Sequence, residues 1–339
     1  MRHIPITIIG YGVAAQFLLS HIIQEISGTL ISIIDPDFLG GSLQRNYSFI
    51  QSNTTCEQTC NSLNRLPAIW SPVSHALQKK YTNSSTMPLG DLMSELHTVG
   101  RNLLKECNCF YDTLQTAQWN PETKRWSLLC KNISYTSDVL CVCTGISPRQ
   151  KDYGIPIIPL QNALDPQCLP RILKKGDSIL VIGSSHSGTL ILKNLQEIPD
   201  IHTTCIYKTV PFKLFKDGFL DGIKQESADI AESIQRGEYK NLTMISLSDT
   251  PELSKSFRKC TWIIQACGFE TNFPSFQTTS GQIFEMKWDC NTGKSQTMEH
   301  VYGFGACVPN EMKDIGIGPF VEQLEQRFPH FLTFFRSIF

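Results

Sequence analysis

The sequence of residues 4–35, IPITIIGYGVAAQFLLSHIIQEISGTLISIID, decides the fold. It opens with an apolar run, Ile4 to Ile9, that predicts a buried strand, and a helical pattern follows to about Glu25. A second apolar run, Thr29 to Ile34, predicts another strand and ends at Asp35. A strand, a glycine turn, a helix and a second strand in this order predict a βαβ unit.

The turn between the first strand and the helix has the glycine spacing of a nucleotide-binding loop. Its residues are Gly10, Tyr11, Gly12, Val13, Ala14 and Ala15. Gly10 permits a tight turn, Gly12 lets the backbone approach a pyrophosphate, and the small Ala15 lets the helix pack closely on the strand. The helix N-terminus favours anions, and the Asp35 carboxylate can accept hydrogen bonds from a ribose 2′-hydroxyl. We therefore predict that this unit binds an adenine dinucleotide.

The same unit occurs a second time in the chain. Ser178 to Ile182 predicts a strand, a helix runs to about Gln196, and His202 to Tyr207 predicts the next strand. The second turn consists of Gly183, Ser184, Ser185, His186, Ser187 and Gly188. Ser185 replaces the usual middle glycine, but its small side chain can donate a hydrogen bond to a phosphate. His186 is expected to pack at the helix start or to contact the cofactor.

The two copies differ in charge after the second strand. Asp35 lies 25 residues after Gly10, and Lys208 lies 25 residues after Gly183. Because an acid repels a ribose 2′-phosphate and a lysine attracts it, we predict NADPH in the second copy and a dinucleotide without that phosphate in the first. The alternative is that Lys208 simply lies at a solvated strand end.

Two further apolar runs predict a closing strand for each nucleotide unit. Asp138 to Cys143 ends at Thr144 and Gly145, and Trp262 to Ala266 leads to Gly268. The prediction is an α/β protein with two Rossmann-like three-layer domains, each with a parallel sheet, the second inserted in the first. Prolines and glycines at the crossings set the boundaries: a discontinuous first dinucleotide-binding domain of residues 1–158 and 269–339, and an NAD(P)H-binding domain of residues 159–268.

Nearly the whole chain resembles the two-dinucleotide-binding-domain flavoproteins, and within them the flavin-containing and N-hydroxylating monooxygenases. The segments that carry the resemblance are GYGVAA at 10–15, GGS at 40–42, CTG at 143–145, VIGSSHSG at 181–188, ACGF at 266–269 and VYGFG at 301–305. The resemblance implies that the first fold binds FAD and the second binds NADPH.

The resemblance also marks residues around the flavin. Asn53, in the segment Ser52-Asn53-Thr54, matches an asparagine that can steady an oxygenated flavin, although a loop-capping role fits it as well. Gly305 follows the predicted strand Val301 to Phe304. A helix from about Pro319 to Arg327 is expected to aim its N-terminal amides, beside Ile317 and Gly318, at the anionic edge of the flavin.

These features predict an FAD-dependent oxidoreductase that NADPH reduces. Its expected reaction is monooxygenation of a small nucleophilic substrate at nitrogen, sulfur or a carbonyl group. One alternative is a flavin-dependent thiol or disulfide reductase that uses Cys56 and Cys60. Another is a non-catalytic FAD-binding protein, which Ser185 and the lack of an acidic residue after Gly305 favour.

Composition excludes several other classes. With 41% hydrophobic and 18% charged residues, the chain is that of a globular protein, and a net charge of −1 gives no electrostatic attraction for nucleic acid. The thirteen cysteines are scattered and fit buried thiols, and no metal-ligand cluster appears. Because glycines interrupt the apolar stretch Ile4 to Ile23, we expect neither an export signal nor a membrane anchor but a cytoplasmic protein. The oligomeric state stays open, a homo-oligomer included.

Overall fold

The computed structural model describes residues 2–213, 222–308 and 316–338. The chain divides into two compact units. Unit 1 consists of residues 1–48, 54–146 and 271–339, and unit 2 consists of residues 49–53 and 147–270. Unit 2 is thus inserted between two parts of unit 1, and the main crossings occur after Ile146 and after Glu270.

In chain order, the strands are β1 (Ile6–Ile9), β2 (Ile31–Asp35), β3 (Asn108–Tyr111), β4 (Leu114–Asn120), β5 (Arg125–Cys130), β6 (Ser134–Ser137), β7 (Val139–Val142), β8 (Ile146–Pro148), β9 (Ser178–Ile182), β10 (His202–Tyr207), β11 (Leu242–Ser246), β12 (Trp262–Gln265), β13 (Phe269–Thr271), β14 (Ser275–Thr278) and β15 (Val301–Gly303).

The α-helices are α1 (Val13–Glu25), α2 (Ser42–Tyr47), α3 (Cys56–Leu63), α4 (Ser71–Lys80), α5 (Leu89–Leu104), α6 (Leu160–Leu164), α7 (Leu169–Ile172), α8 (His186–Gln196), α9 (Glu226–Gln235), α10 (Thr250–Lys259) and α11 (Ile317–Ile338). Two short 3₁₀ helices precede β2 and α4. Within the described ranges, no helix is long and apolar enough to cross a membrane.

Unit 1 is built on a five-stranded parallel sheet in the order β15-β7-β1-β2-β3. Every residue of β1, β2 and β7 is buried, as expected for strands that are covered on both faces. Helices α1, α3, α4, α5 and α11 contribute to the core on one face. A four-stranded sheet, β14-β4-β5-β6, contributes aromatic side chains such as Trp119 and Trp126 to a second core. These layers form the predicted three-layer arrangement.

Unit 2 contains a smaller parallel sheet in the order β11-β10-β9-β12. Helix α8 packs on β9, and its buried residues include Thr189, Ile191, Leu192 and Leu195. The order places β9 between β10 and β12, as β1 lies between β2 and β7 in unit 1. The two parallel sheets confirm the predicted α/β fold class, and the repeat seen in the sequence is a repeat of βαβ units.

The C-terminal helix is longer than predicted. Helix α11 begins at Ile317 rather than at Pro319 and continues to Ile338. Pro319 is its third residue, where the missing N–H costs no intrahelical hydrogen bond, and Phe320 makes the first such bond, to the carbonyl of Gly316. The helix continues through Pro329 because Phe331 and Phe335 are buried in the unit 1 core.

Candidate functional site

Gly10 is held by the ends of the two neighbouring strands. Its N–H donates to the carbonyl of Ile34 over 2.8 Å, and its φ of +89° suits glycine. A Cβ at this position would lie 2.7 Å from the carbonyl oxygen of Cys143, at the end of β7. Gly10 therefore has a structural reason to be glycine that involves no ligand.

Unlike Gly10, Gly12 has no structural reason within the protein to be glycine. Its φ of −78° is open to any residue, and a Cβ built there would meet no protein atom within 4 Å. Gly12 lies against Gly41, whose Cβ would approach the Gly12 Cα to 3.0 Å. We call the surface formed by Gly12, Gly41 and the first turn of α1 the cradle. Since a Cβ at Gly12 would fill space that the fold leaves open, the cradle fits a diphosphate that contacts the backbone.

The other residues of the first turn contribute backbone rather than side chains to the cradle. Tyr11, Val13 and Ala15 are buried in the core of unit 1. The Tyr11 hydroxyl donates to the carbonyl of Gly100 over 2.7 Å, on helix α5. Burial raises the pKa of the Tyr11 phenol, so that it stays protonated. The tyrosine therefore fixes the turn to the core.

Asp35 is bonded to the first turn itself. One carboxylate oxygen accepts the N–H of Tyr11 over 2.7 Å, and the other accepts the N–H groups of Asp37 and Phe38 over 3.1 Å and 2.7 Å. The side chain is buried. Because an ionised carboxylate has about four acceptor positions, these three bonds leave room for roughly one more donor, such as a ribose hydroxyl.

Gly305 adjoins the cradle from the end of β15. A Cβ at Gly305 would lie 2.5 Å from that of Ala14, and the Gly305 φ is +80°. The side-chain amide of the buried Gln323, on α11, forms two hydrogen bonds with the Gly305 backbone. The Gly305 N–H donates to Gln323 Oε1 over 2.5 Å, and Gln323 Nε2 donates to the Gly305 carbonyl over 3.3 Å. Gln323 is not among the predicted site residues, since a glutamine on an amphipathic helix carries no sequence signal of such a contact.

The remaining residues predicted for the first cofactor lie in several places. Thr144 and Gly145 follow β7, and Thr144 lies close to Gly10. Gly145 has a φ of +69° and open space where a Cβ would stand. Ile317 is buried in the core, and Gly318 lies against Ser62 of α3. Thus Thr144 and Gly305 adjoin the first turn, whereas Ile317 packs in the core and Gly318 lies against α3.

The second turn repeats the hydrogen bonding of the first. The Gly183 N–H donates to the carbonyl of Ile206 over 2.9 Å, and a Cβ at Gly183 would lie 2.3 Å from the carbonyl oxygen of Ala266. A Cβ at Gly188 would meet the Gly183 carbonyl at 2.2 Å. Ser185, the N-cap of α8, is exposed, and its hydroxyl does not cap the helix. The hydroxyl can therefore donate to an anion at this helix N-terminus.

Strand register corrects the predicted equivalence of Asp35 and Lys208. Gly10 bonds to Ile34 and Gly183 bonds to Ile206, so the residue equivalent to Asp35 is Tyr207. Equal spacing of 25 residues from the first glycine does not give equivalent positions, because the segment from Gly183 to Ile206 is one residue shorter than the segment from Gly10 to Ile34. Lys208 is the next residue, exposed at the carboxyl end of β10, where it still adds positive charge.

His186 has a structural role in unit 2. Its Nε2 accepts the backbone N–H of Lys224 over 3.1 Å, and its carbonyl accepts the hydroxyls of Ser227 and Thr189. The side chain thus binds the segment that precedes α9, while Ser184 and Ser187 are half-buried neighbours in the turn. Gly268, after β12, has a φ of +85° and open space at its Cβ position.

Asn53 and the cysteine pair lie on either side of a unit boundary in the chain. Residues 49–53 group with unit 2, and α3 follows in unit 1. Cys56 and Cys60 are both buried in the unit 1 core, with their sulfur atoms 3.9 Å apart. Burial and the neighbouring Cys56 raise the pKa of Cys60 to about 12, so this thiol stays protonated at neutral pH and is a poor nucleophile.

The same fold, with a parallel sheet in each of two units, occurs in flavoproteins of known structure. A Kutzneria sp. 744 ornithine N-hydroxylase, in complex with reduced FAD, NADP⁺ and L-ornithine, matches with a TM-score of 0.65 over 99% of both chains at 10% identity. The bacillithiol disulfide reductase Bdr of Bacillus cereus matches with a TM-score of 0.66 over 100% of both chains at 11% identity. The chain has the fold of the two-domain FAD/NAD(P)-binding flavoproteins.

Other comparisons agree with this fold. Flavin-containing monooxygenases and thioredoxin reductases are also among its structural neighbours. In sequence, the chain is 21% identical to the monooxygenase AgnR1 of Paecilomyces divaricatus, over 91% of this chain and 90% of that protein. No known family profile matches the chain. The neighbours include both monooxygenases and thiol reductases. The fold is therefore compatible with either reaction, and the residues of the site must distinguish them.

Proposed function

We propose that this chain is an FAD-dependent monooxygenase that uses NADPH as its reductant. Unit 1 would bind FAD and unit 2 would bind NADPH. The observation that carries the proposal is the cradle at Gly12, where the fold leaves open the space that a side chain would take. The flavin-containing monooxygenase and the N-hydroxylase with this fold, the latter with bound FAD and NADP⁺, and the sequence similarity to the monooxygenase AgnR1 support the same assignment.

The residues of unit 1 suit FAD. The amides at the start of α1 would bind the diphosphate, and the remaining acceptor position of Asp35 would bind the ribose. A ribose 2′-phosphate would meet the Asp35 carboxylate, and this repulsion favours a dinucleotide without that group. Gly305 would contribute by its lack of a side chain, because Gln323 takes both of its backbone polar groups.

The residues of unit 2 suit NADPH. The exposed Ser185 hydroxyl and the amides at the start of α8 would bind the diphosphate, and Lys208 would attract the 2′-phosphate. When bound, the two cofactors supply hydride transfer and oxygen activation, which the side chains of proteins cannot provide. The substrate would be a small molecule with a nucleophilic nitrogen, sulfur or carbonyl group, and Asn53 is the candidate amide for the oxygen chemistry.

Absorbance spectra test the proposal directly. The purified full-length protein, supplied with FAD, should show a flavin spectrum that bleaches on addition of NADPH and returns in air. Oxygen uptake that depends on NADPH should accompany the return. A protein that binds FAD but is not bleached by NADPH would favour the non-catalytic alternative, and a protein that takes up no flavin would contradict the proposal.

Reversing the charge of Lys208 should weaken the preference for NADPH. The K208E variant is expected to lose about tenfold in NADPH over NADH selectivity, because the change from attraction to repulsion of the 2′-phosphate at this exposed site costs roughly 1.4 kcal/mol in total. The measurement is the ratio of apparent KM values for the two nucleotides in flavin bleaching.

The K240E variant is the matched control for this charge reversal. Lys240 is also exposed in unit 2, but it precedes the amino end of β11, whereas Lys208 follows the carboxyl end of β10. We expect K240E to keep the wild-type ratio. Equal effects of the two substitutions would show that Lys208 contributes only net charge.

A reductase remains the second candidate, since thiol reductases share the fold. The burial of both Cys56 and Cys60 and the raised pKa of Cys60 argue against it. We expect the double variant C56A/C60A to retain NADPH-dependent flavin bleaching and oxygen uptake within about twofold, because neither sulfur would take part in electron transfer. Loss of turnover in C56A/C60A with flavin still bound would instead favour the reductase.

A further inference from the structure

Three aromatic rings in successive contact extend from the core of unit 1 to its surface beside Asp35. Tyr11 is fully buried, its ring centroid lies 5.5 Å from that of Phe38, and the Phe38 ring lies 4.6 Å from that of Tyr111. Tyr111 is the last residue of β3 and pairs in register with Asp35. Its side chain is 68% exposed. A large aromatic ring is thus supported on its inner side and open to solvent on its outer side.

The position of Phe38 depends on Asp35. The Asp35 carboxylate accepts the Phe38 N–H, which holds the backbone after β2 in a tight turn, and Phe38 has a positive φ of 54°. This conformation is uncommon for a bulky residue and persists because the Phe38 ring is buried between the two tyrosines. Hence the residue proposed to bind the ribose also fixes the ring that supports Tyr111.

We propose that the outer face of Tyr111 stacks on the adenine of the dinucleotide bound in unit 1. The inference rests on the proposed binding of FAD there. With the diphosphate at Gly12 and the ribose at Asp35, the base continues beyond the end of β2, where the next strand, β3, ends at Tyr111. Aromatic side chains stack on bases of any type through their π faces. The contact would therefore favour FAD over a flavin mononucleotide, which has no adenine.

The experiment compares the wild-type apoprotein with Y111A and Y111F. Affinities for FAD, ADP and FMN are measured by titration of the full-length chain. Y111A should raise the Kd for FAD and for ADP about tenfold, and leave the Kd for FMN unchanged, since a lost stack of this kind is equivalent to about 1.4 kcal/mol. Y111F keeps the ring and should bind all three ligands as the wild type does.

The outcomes separate this inference from the proposed function. If wild type binds FAD and is bleached by NADPH while Y111A binds FAD equally well, the stacking role is wrong and the function stands. An equal loss for FMN and FAD would also overturn it, because the effect would not depend on adenine. If the wild type binds no FAD, the proposed function fails, and the stacking role fails with it. The I283A variant, which removes another exposed apolar side chain of unit 1, should change none of the affinities.

Discussion

A valine at position 12 should leave the protein folded and prevent it from binding FAD. The Gly12 φ is open to any residue and a Cβ there meets open space, so the apoprotein of G12V should lose no more than about 1 kcal/mol, the cost of valine in place of glycine at the N-cap of α1. The added carbons would occupy the cradle, and we expect the FAD affinity to fall by at least about 100-fold, or roughly 2.7 kcal/mol. Flavin titration and thermal unfolding of the apoprotein measure the two effects.

The contrast with Gly10, two residues earlier in the same turn, makes this prediction specific. In G10A the new Cβ must lie 2.7 Å from the Cys143 carbonyl oxygen, at a φ of +89°. We expect G10A to lose about 2–3 kcal/mol of stability even without cofactor, because strain and a close contact act together. If G12V destabilises the apoprotein as much as G10A does, then the space at Gly12 is structural and the cradle is misassigned.

Replacing Arg327 should cause the other large effect, on stability. Arg327 of α11 is fully buried, and its guanidinium donates to the carbonyl of Cys290, through Nε and Nη2 over 3.2 Å and 2.9 Å, and to that of Gly303 over 3.1 Å. Burial lowers its pKa to about 10, so it remains charged at neutral pH. R327L should lower the free energy of unfolding by about 3 kcal/mol, because two carbonyl groups lose a charged donor.

Arg336, on the same helix, provides the matched control. It is exposed and forms an ion pair with Glu25 over 2.6 Å. Since exposed ion pairs contribute little, R336L should change stability by less than about 0.5 kcal/mol. Urea unfolding, followed by tryptophan fluorescence, compares the two variants. An R327L protein as stable as R336L would mean that relief of the buried charge offsets the lost hydrogen bonds.

The amino-acid sequence was enough to predict the architecture. The strand, glycine turn, helix and strand of residues 4–35 and their repeat at residues 178–207 are local patterns, and local hydrophobic periodicity sets the type of each element. Strands β9 and β10 have the predicted bounds. The roles of Gly10 and Gly183 also follow from local geometry, because a strand that turns sharply into a helix needs a positive φ at this point.

Only the tertiary structure decided which residues are equivalent and which ones meet. Register depends on hydrogen bonds between strands, and these equate Asp35 with Tyr207 where a count along the chain pointed to Lys208. The contact of Gln323 with Gly305 joins residues of a helix and a strand end through side-chain packing. Such contacts have no period in the sequence, because packing in three dimensions and not local backbone preference determines them.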